Sequence, residues 1–582
     1  MLSFFRSLLA TIIGLFLFTF IGFFLLIFII GAASEDPVPE VKDQSVLALK
    51  LSGVLLERAY EDPFEDLLPG NTVSSHGLLE IIQSIASAKD DPKIEGIYLQ
   101  PSFLSGGYAS MQEIRDALID FKSSGKFIMA YGEFMTEGDY YIASVADQLF
   151  LNSQGSIEFN GLSANVTFYQ GMFEKLDIEP EIFRVGEYKS AIEPYIRKDL
   201  SKENEYQLSE LLNNINDFYL NGVAESTDQT FEKVKEVQDQ MMVQVPEDAE
   251  AYGLVSKIAY KDELLNLIVD ELGVDEIDDI NFISYKTYHK TVSSEYSRNK
   301  VAVIMTEGNI VMAGDPNTSI VGDKIAREIR KARDNDAIKA IVLRVNSPGG
   351  SITASDIIWH EVMEAKKVKP VIASMGTYAA SGGYYISMPC DTIVAQPNTI
   401  TGSIGIFSML FNFGDFLENK LGITHDVVST GEYSDLITVT RSMTPQERAI
   451  IQRGVDRGYE TFISKAAEGR GLTKERIDEL GGGRVWTGEQ ALAHDLVDVL
   501  GSFNDAIEIA ASAAGISDDY SVRYYPEQKP YFEELIEKLG SDVRLKIFQP
   551  DYGMLQPYMK EIETLQELQG IQARMPMNLE IH

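Results

Sequence analysis

The stretch ARDNDAIKAIVLRVNSPGGSITASDIIWHEV, Ala332–Val362, decides the reading of this chain, because AKDDPKIEGIYL at Ala88–Leu99 repeats its opening. The likeness continues in order: SFLSGGYASMQEIRDAL from Ser102 answers VNSPGGSITASDIIWHEV from Val345, with Gly106–Gly107 standing where Gly349–Gly350 stand. Further on, GEFMTEGDYYIAS at Gly132–Ser144 answers GTYAASGGYYISM at Gly376–Met388, and RVGEYKSA at Arg184–Ala191 answers VSTGEYSD at Val428–Asp435. Four blocks in one order define an internal repeat. Within each copy, β-branched runs such as Ile94–Leu99, Ile338–Val345 and Val371–Met375 alternate with amphipathic segments such as Ser355–Lys367. That is a βα pattern, and it predicts an α/β fold in which helices cross between sheet strands. The acidic stretch Ser201–Glu236 and its counterpart Thr444–Glu468 read as helices, lying either on their own unit or against a partner subunit.

Outward from the repeat, nothing charged occurs between Arg6 and Glu35. The interval is longer than the roughly 20 residues a bilayer-spanning helix needs and longer than the ~7–15 of a signal-peptide core, so a retained anchor over 1–34 is expected. Gly31, Ala32 and Ala33 also resemble a cleavage site. Arg6 before the span, with Glu35 and Asp36 after it, predicts a cytoplasmic N-terminus and a body on the other side. The organisation expected is an anchor at 1–34, a first repeat at 45–295, a second at 296–517, and a tail at 518–582 that belongs to neither. The tail shows a short helical pattern around Phe532–Leu539.

Composition narrows the functional classes. Lys+Arg 50 against Asp+Glu 88 gives a net charge of −38, which opposes binding of nucleic acid. The single cysteine, Cys390, permits no intrachain disulfide and no thiolate cluster, and reads as a small buried apolar residue.

Two copies of one ancestral site ought to carry the same chemistry twice, so the informative positions are those where the copies differ. Opposite Ser381 the first copy has Glu137, and opposite Lys189 the second has Ser434. One unit keeps a possible nucleophile and the other a possible base. Ser381 follows the strand-like KPVIASM and precedes SGGYYISM, a helix start where free N–H groups gather; read alone it would be a helix cap. The turn at Gly349–Gly350 and the N–H of Gly382 could together hold a carbonyl oxygen as it becomes negative. None of the six histidines lies in these glycine-rich blocks and no GxSxG elbow surrounds Ser381, so a Ser–His–Asp triad is disfavoured. A lysine serves as base when burial keeps it neutral. Ser403, in TITGSIGIF, reads either as a hydroxyl that could hydrogen-bond that amine and orient it or as an ordinary turn serine, and Tyr140, Tyr141, Tyr384 and Tyr385 read as core. The chemistry expected is acyl transfer, with no metal or organic cofactor required.

The blocks RVNSPGGS, MGTYAASGGYYIS, TGSIGIF and GEYKSAIEPYIR resemble those of the signal peptide peptidase A (protease IV) family in its long, double-repeat form, from the anchor to about residue 520. The resemblance implies a Clp protease/crotonase-like fold in each half and an anchor in the bacterial inner membrane, with the catalytic domains on its periplasmic side. It also implies a homotetrameric bowl with inward-facing sites, and remnant signal peptides as substrates. It makes Ser381 the nucleophile, Lys189 the general base, and Gly350 and Gly382 the oxyanion donors. Two other classes compete: a crotonase-like acyl-CoA enzyme, which the same fold supports, and a non-catalytic membrane scaffold.

Overall fold

The apolar run that opens the second repeat becomes strand Ile338–Ser347, paired in parallel with Lys300–Glu307 on one side and Val371–Ala380 on the other. It is covered on both faces, which is why its sequence is continuously apolar instead of alternating. Its counterpart Ile94–Ser105 lies in the same way between Ser45–Leu56 and Phe127–Met135. The computed structural model describes residues 2–33, 39–59, 74–292, 296–527 and 571–575.

Among the described residues the first unit builds a seven-stranded sheet and the second an eight-stranded one, with helices between successive parallel strands. Each unit closes by returning a strand to its own first strand: Asn281–Ser284 pairs with Ser45–Ala48, and Ser521–Tyr525 pairs with Lys300–Ile304. Residues 521–525, expected in a tail outside both repeats, therefore extend the second sheet. The stretch Phe532–Leu539 lies outside the described residues, as do Glu35 and Asp36.

One hydrophobic cluster runs through both units, joining Leu47, Leu49 and Ile97 of the first to Val301, Val342 and Phe503 of the second. The repeated tyrosines are buried as expected and bond alike, Tyr140 Oη donating to the Leu254 carbonyl at 2.9 Å and Tyr384 Oη to that of Leu496 at 3.1 Å. Helices Lys202–Ser226 and Pro445–Arg470 bury apolar stripes, Leu208–Leu211–Ile215–Tyr219 and Val455–Tyr459–Phe462, within their own chain. Cys390 is buried.

The units are also tied by charge. Arg344 is 1% exposed and reaches across to Glu57 at 2.8 and 3.2 Å and to Glu113 at 3.3 Å. Arg344→Leu strands two buried carboxylates, and it is expected to cost about 3–5 kcal/mol in a denaturant melt. A loss within the few tenths typical of surface changes would contradict the assignment of this cluster as the clamp between units.

A third sheet is built jointly. Strand Glu179–Val185 leaves the first unit and pairs antiparallel with Ile406–Asn412 of the second, in register Val185 to Ile406. That pairing carries the segment containing Lys189 into the other repeat.

The chain opens with a 32-residue helix, Leu2–Ala33, whose described side chains, Phe4 and Arg6–Gly22, are exposed. Among the described residues no helix is long and apolar enough to cross a membrane.

Candidate active site

Strand Val371–Ala380 ends at Ser381, which has φ +55° and ψ −109°. A non-glycine residue there costs about 1–3 kcal/mol and persists only where its surroundings hold it. The Ser381 N–H donates to the Gly402 carbonyl at 2.8 Å, and its own carbonyl accepts from Tyr385 N–H at 2.8 Å. The hydroxyl does not cap helix Gly382–Ser387. It lies 2.8 Å from Lys189 Nζ.

Lys189 reaches this point on the arm that follows Glu179–Val185. Gly186, at φ +101°, turns the chain so tightly against the 481–483 loop that a Cβ there would sit 2.3 Å from the Gly482 carbonyl oxygen. Tyr188 N–H donates to that same carbonyl at 3.0 Å. Gly483, at φ +87°, lies against the Lys189 backbone, where a Cβ would come within 2.7 Å of the lysine's own Cα and Cβ. Lys189 is thereby fully buried, and burial pushes its amine well below the ordinary lysine range.

Ser403 completes the surroundings of the amine, with Oγ at 3.0 Å and carbonyl oxygen at 3.1 Å from Nζ. Its backbone is also left-handed, at φ +51°, and is pinned by its N–H on the Arg484 carbonyl at 2.7 Å. Nζ thus meets three oxygens: one belongs to Ser381, and two can accept its protons. Because the Ser403 hydroxyl favours the protonated amine, Ser403→Ala is expected to lower kcat about tenfold, the worth of one such bond. It should also move the acid limb of the pH profile to lower pH. An unchanged profile would mean that the hydroxyl plays no part.

The Gly349–Gly350 turn lies directly beside Ser381. Gly349 has φ +103°, and a Cβ on it would stand 2.7 Å from the Gly382 nitrogen. Gly350 packs onto strand Asn309–Val311, where a Cβ would be 2.1 Å from the Ile310 carbonyl oxygen. Neither position accepts a side chain without backbone movement, so the two expected donors, Gly350 N–H and Gly382 N–H, belong to loops in contact.

The counterpart positions have lost this arrangement. Glu137 is buried, its Oε1 accepting from Asn160 N–H at 2.8 Å and Gly161 N–H at 2.7 Å. Ser434 is exposed on a loop, accepting from Gly431 N–H at 3.0 Å. Two contributors escaped the sequence reading. The run Gly481–Gly483 moulds the lysine arm, and its signal was the triple glycine itself. Strand Ile571–Arg574 pairs with Gly349–Ser351 and with Phe407–Ser408, and nothing in its composition marked it.

A serine hydroxyl and a buried amine in contact, beside glycine amides, equip a serine hydrolase on an α/β scaffold. The family model of peptidase family S49 matches residues 120–275 and 363–517, and that of Clp protease matches 293–399. The chain is 34% identical over 550 residues to Protease 4 of Haemophilus influenzae, covering 90% of this chain and 89% of that protein. It is 32% identical over 550 residues to the chloroplastic serine protease SPPA of Arabidopsis thaliana, covering 93% and 78%. With Protease 4 of Salmonella typhi the identity is 34% over 530 residues, covering 88% and 85%. The chain belongs to peptidase family S49, in double-repeat form, and is a serine protease acting on peptide substrates.

Proposed function

We propose that Ser381 is the nucleophile and Lys189 the general base of a membrane-anchored endopeptidase that degrades apolar peptides, including remnant signal peptides. The observation that carries this reading is the 2.8 Å contact between Lys189 Nζ and Ser381 Oγ, both wholly buried and drawn from different repeats. Neutral Lys189 takes the hydroxyl proton as Ser381 Oγ attacks the peptide carbonyl carbon. Gly350 and Gly382 N–H groups hold the oxyanion as it forms. The ammonium, stabilised by both Ser403 oxygens, then protonates the leaving amine, and the freed amine activates water to hydrolyse the acyl-enzyme.

The substrate class rests on the names of the relatives, one of which is a putative signal peptide peptidase SppA of Enterococcus faecium. It also fits the apolar N-terminal helix Leu2–Ala33, which we assign as an inner-membrane anchor with the body on the periplasmic side. We place the repeats at 45–295 and 296–517, the second extended by Ser521–Tyr525. Assembly into a homotetramer is supported by an unmatched pair of surfaces. The second unit's counterpart of the lysine arm is an exposed loop bearing Val428, 99% exposed, and Ile437, 74% exposed. The first unit's counterpart of strand Ile406–Asn412 is Leu162–Tyr169, whose residues are half-buried and exposed in near alternation. Arm and edge of successive copies can pair as they do within one chain. The reading is tested by hydrolysis of a fluorogenic apolar peptide in detergent: Ser381→Ala should abolish it, and turnover surviving that change would refute the assignment.

A further inference from the structure

Lys189 is flanked by two polar groups that a single side chain holds. Gln207, buried on helix Lys202–Ser226, turns its Nε2 to the Tyr188 carbonyl at 3.2 Å and to Ser190 Oγ at 3.0 Å. Those are the residues immediately before and after the lysine. Its Oε1 accepts from Val485 N–H of the second unit at 3.4 Å, and that bond fixes which end of the amide points at the arm. Strand Val485–Thr487 pairs antiparallel with Ile400–Gly402, Val485 standing opposite Gly402. Gly402 supplies the carbonyl on which Ser381 N–H rests, and Arg484, beside Val485, supplies the one that pins Ser403 N–H. One amide therefore joins the backbone of the base to the backbone that sets the nucleophile and the amine's other partner.

Gln207 is itself held. Asn204, one helical turn earlier and fully buried, accepts from Gln207 Nε2 and from Ser190 Oγ, each at 2.9 Å, and donates to Glu193 Oε2 at 3.0 Å. A buried polar network of this kind rigidifies what it touches when its members are satisfied. The other repeat supplies a control. Counting from the N-caps Ser201 and Thr444, the counterparts of Asn204 and Gln207 are Glu447 and Ile450. Glu447 bonds to Thr444 N–H and to Arg441 instead. The copy without the lysine has no amide at either position. We propose that Gln207, braced by Asn204, is the positioning residue of Lys189: it fixes the arm on both sides of the lysine, so that the amine stays sealed from water and aimed at Ser381 Oγ. The proposal deepens the reading above and rests on Lys189 being the base.

The test compares full-length, detergent-solubilised wild type with Gln207→Met, which keeps the length of the side chain without its amide, and with Asn204→Ala, which keeps Gln207 and removes its brace. kcat, KM and their pH dependence are measured on a fluorogenic apolar peptide beside a melting curve. A misplacement of about 1 Å can cost on the order of 10²-fold in rate, so Gln207→Met should lower kcat about 10- to 100-fold with KM little changed, and Asn204→Ala should lower it less. Water admitted beside the amine favours its charged form. The acid limb of kcat/KM should therefore move to higher pH in both variants, opposite to the shift expected for Ser403→Ala. A general loss of folding would lower the active fraction and the melting temperature but leave the limb where it is. An unmoved limb in Gln207→Met, whether kcat falls or not, would overturn the proposal; if that variant does not fold, the limb of Asn204→Ala decides. Lys189→Met separates the two readings. Turnover surviving that change refutes the base itself, whereas its loss beside an unmoved limb in Gln207→Met refutes only the role of Gln207.

Discussion

Lys189→Met should lower kcat by about four orders of magnitude, the scale on which loss of a catalytic base acts in serine proteases, while the protein melts at a higher temperature than wild type. Methionine fills similar space without an ionisable group. The activity loss follows because, among the described residues, Lys189 is the basic side chain that meets the Ser381 hydroxyl, at 2.8 Å from Nζ, while the bonds to Gly402 and Tyr385 engage only the Ser381 backbone. The stability gain follows from burial. The folded amine titrates well below the ordinary lysine range, so between the folded and the unfolded values the unfolded chain binds a proton that the folded one gives up. Stability therefore rises with pH between the folded value and the unfolded value of about 10.4, and each unit of depression costs about 1.4 kcal/mol below that window. The advantage of the methionine variant should vanish near pH 10.4 and grow as the pH falls from there toward the folded value. A variant that melts lower at pH 7 would mean that the buried amine is held charged.

Gly350→Ala should reduce kcat about 10²- to 10³-fold with a smaller change in KM. A Cβ at this position would meet the Ile310 carbonyl oxygen at 2.1 Å, so the 349–351 backbone has to shift away from strand Asn309–Val311. The shift re-aims the Gly350 N–H, and one misplaced oxyanion donor costs about 2.7–4 kcal/mol of transition-state stabilisation. Ground-state binding does not depend on that developing charge and suffers less. The check is steady-state kinetics beside a melting curve. A change in KM alone, with kcat preserved, would remove Gly350 from the oxyanion site.

The repeat made much of this legible before any coordinates. Aligning Gly132–Ser144 with Gly376–Met388 singled out Ser381, and aligning the GEY blocks singled out Lys189; the two atoms prove to be in contact. Local pattern likewise foretold the parallel strands, because a strand buried on both faces has to be continuously apolar. What stayed hidden depends on contacts between distant segments. Lys189 is buried because Gly482 and Gly483, nearly 300 residues away, close over its backbone, and no local pattern predicts that. Ser521–Tyr525 looks like a solvent-facing end until Lys300–Ile304 is seen to lack a neighbour. Ile571–Met575 carries no motif, since backbone pairing places it between Gly349–Ser351 and Phe407–Ser408.

The central claim is that Lys189 acts as a neutral base on Ser381, and the pH dependence of kcat/KM for an apolar peptide tests it most directly. The account predicts that activity rises through one ionisation well below 10.4, and that the rise disappears with Lys189→Met. An ionisation near 10.4, or a profile that survives the substitution, would contradict it.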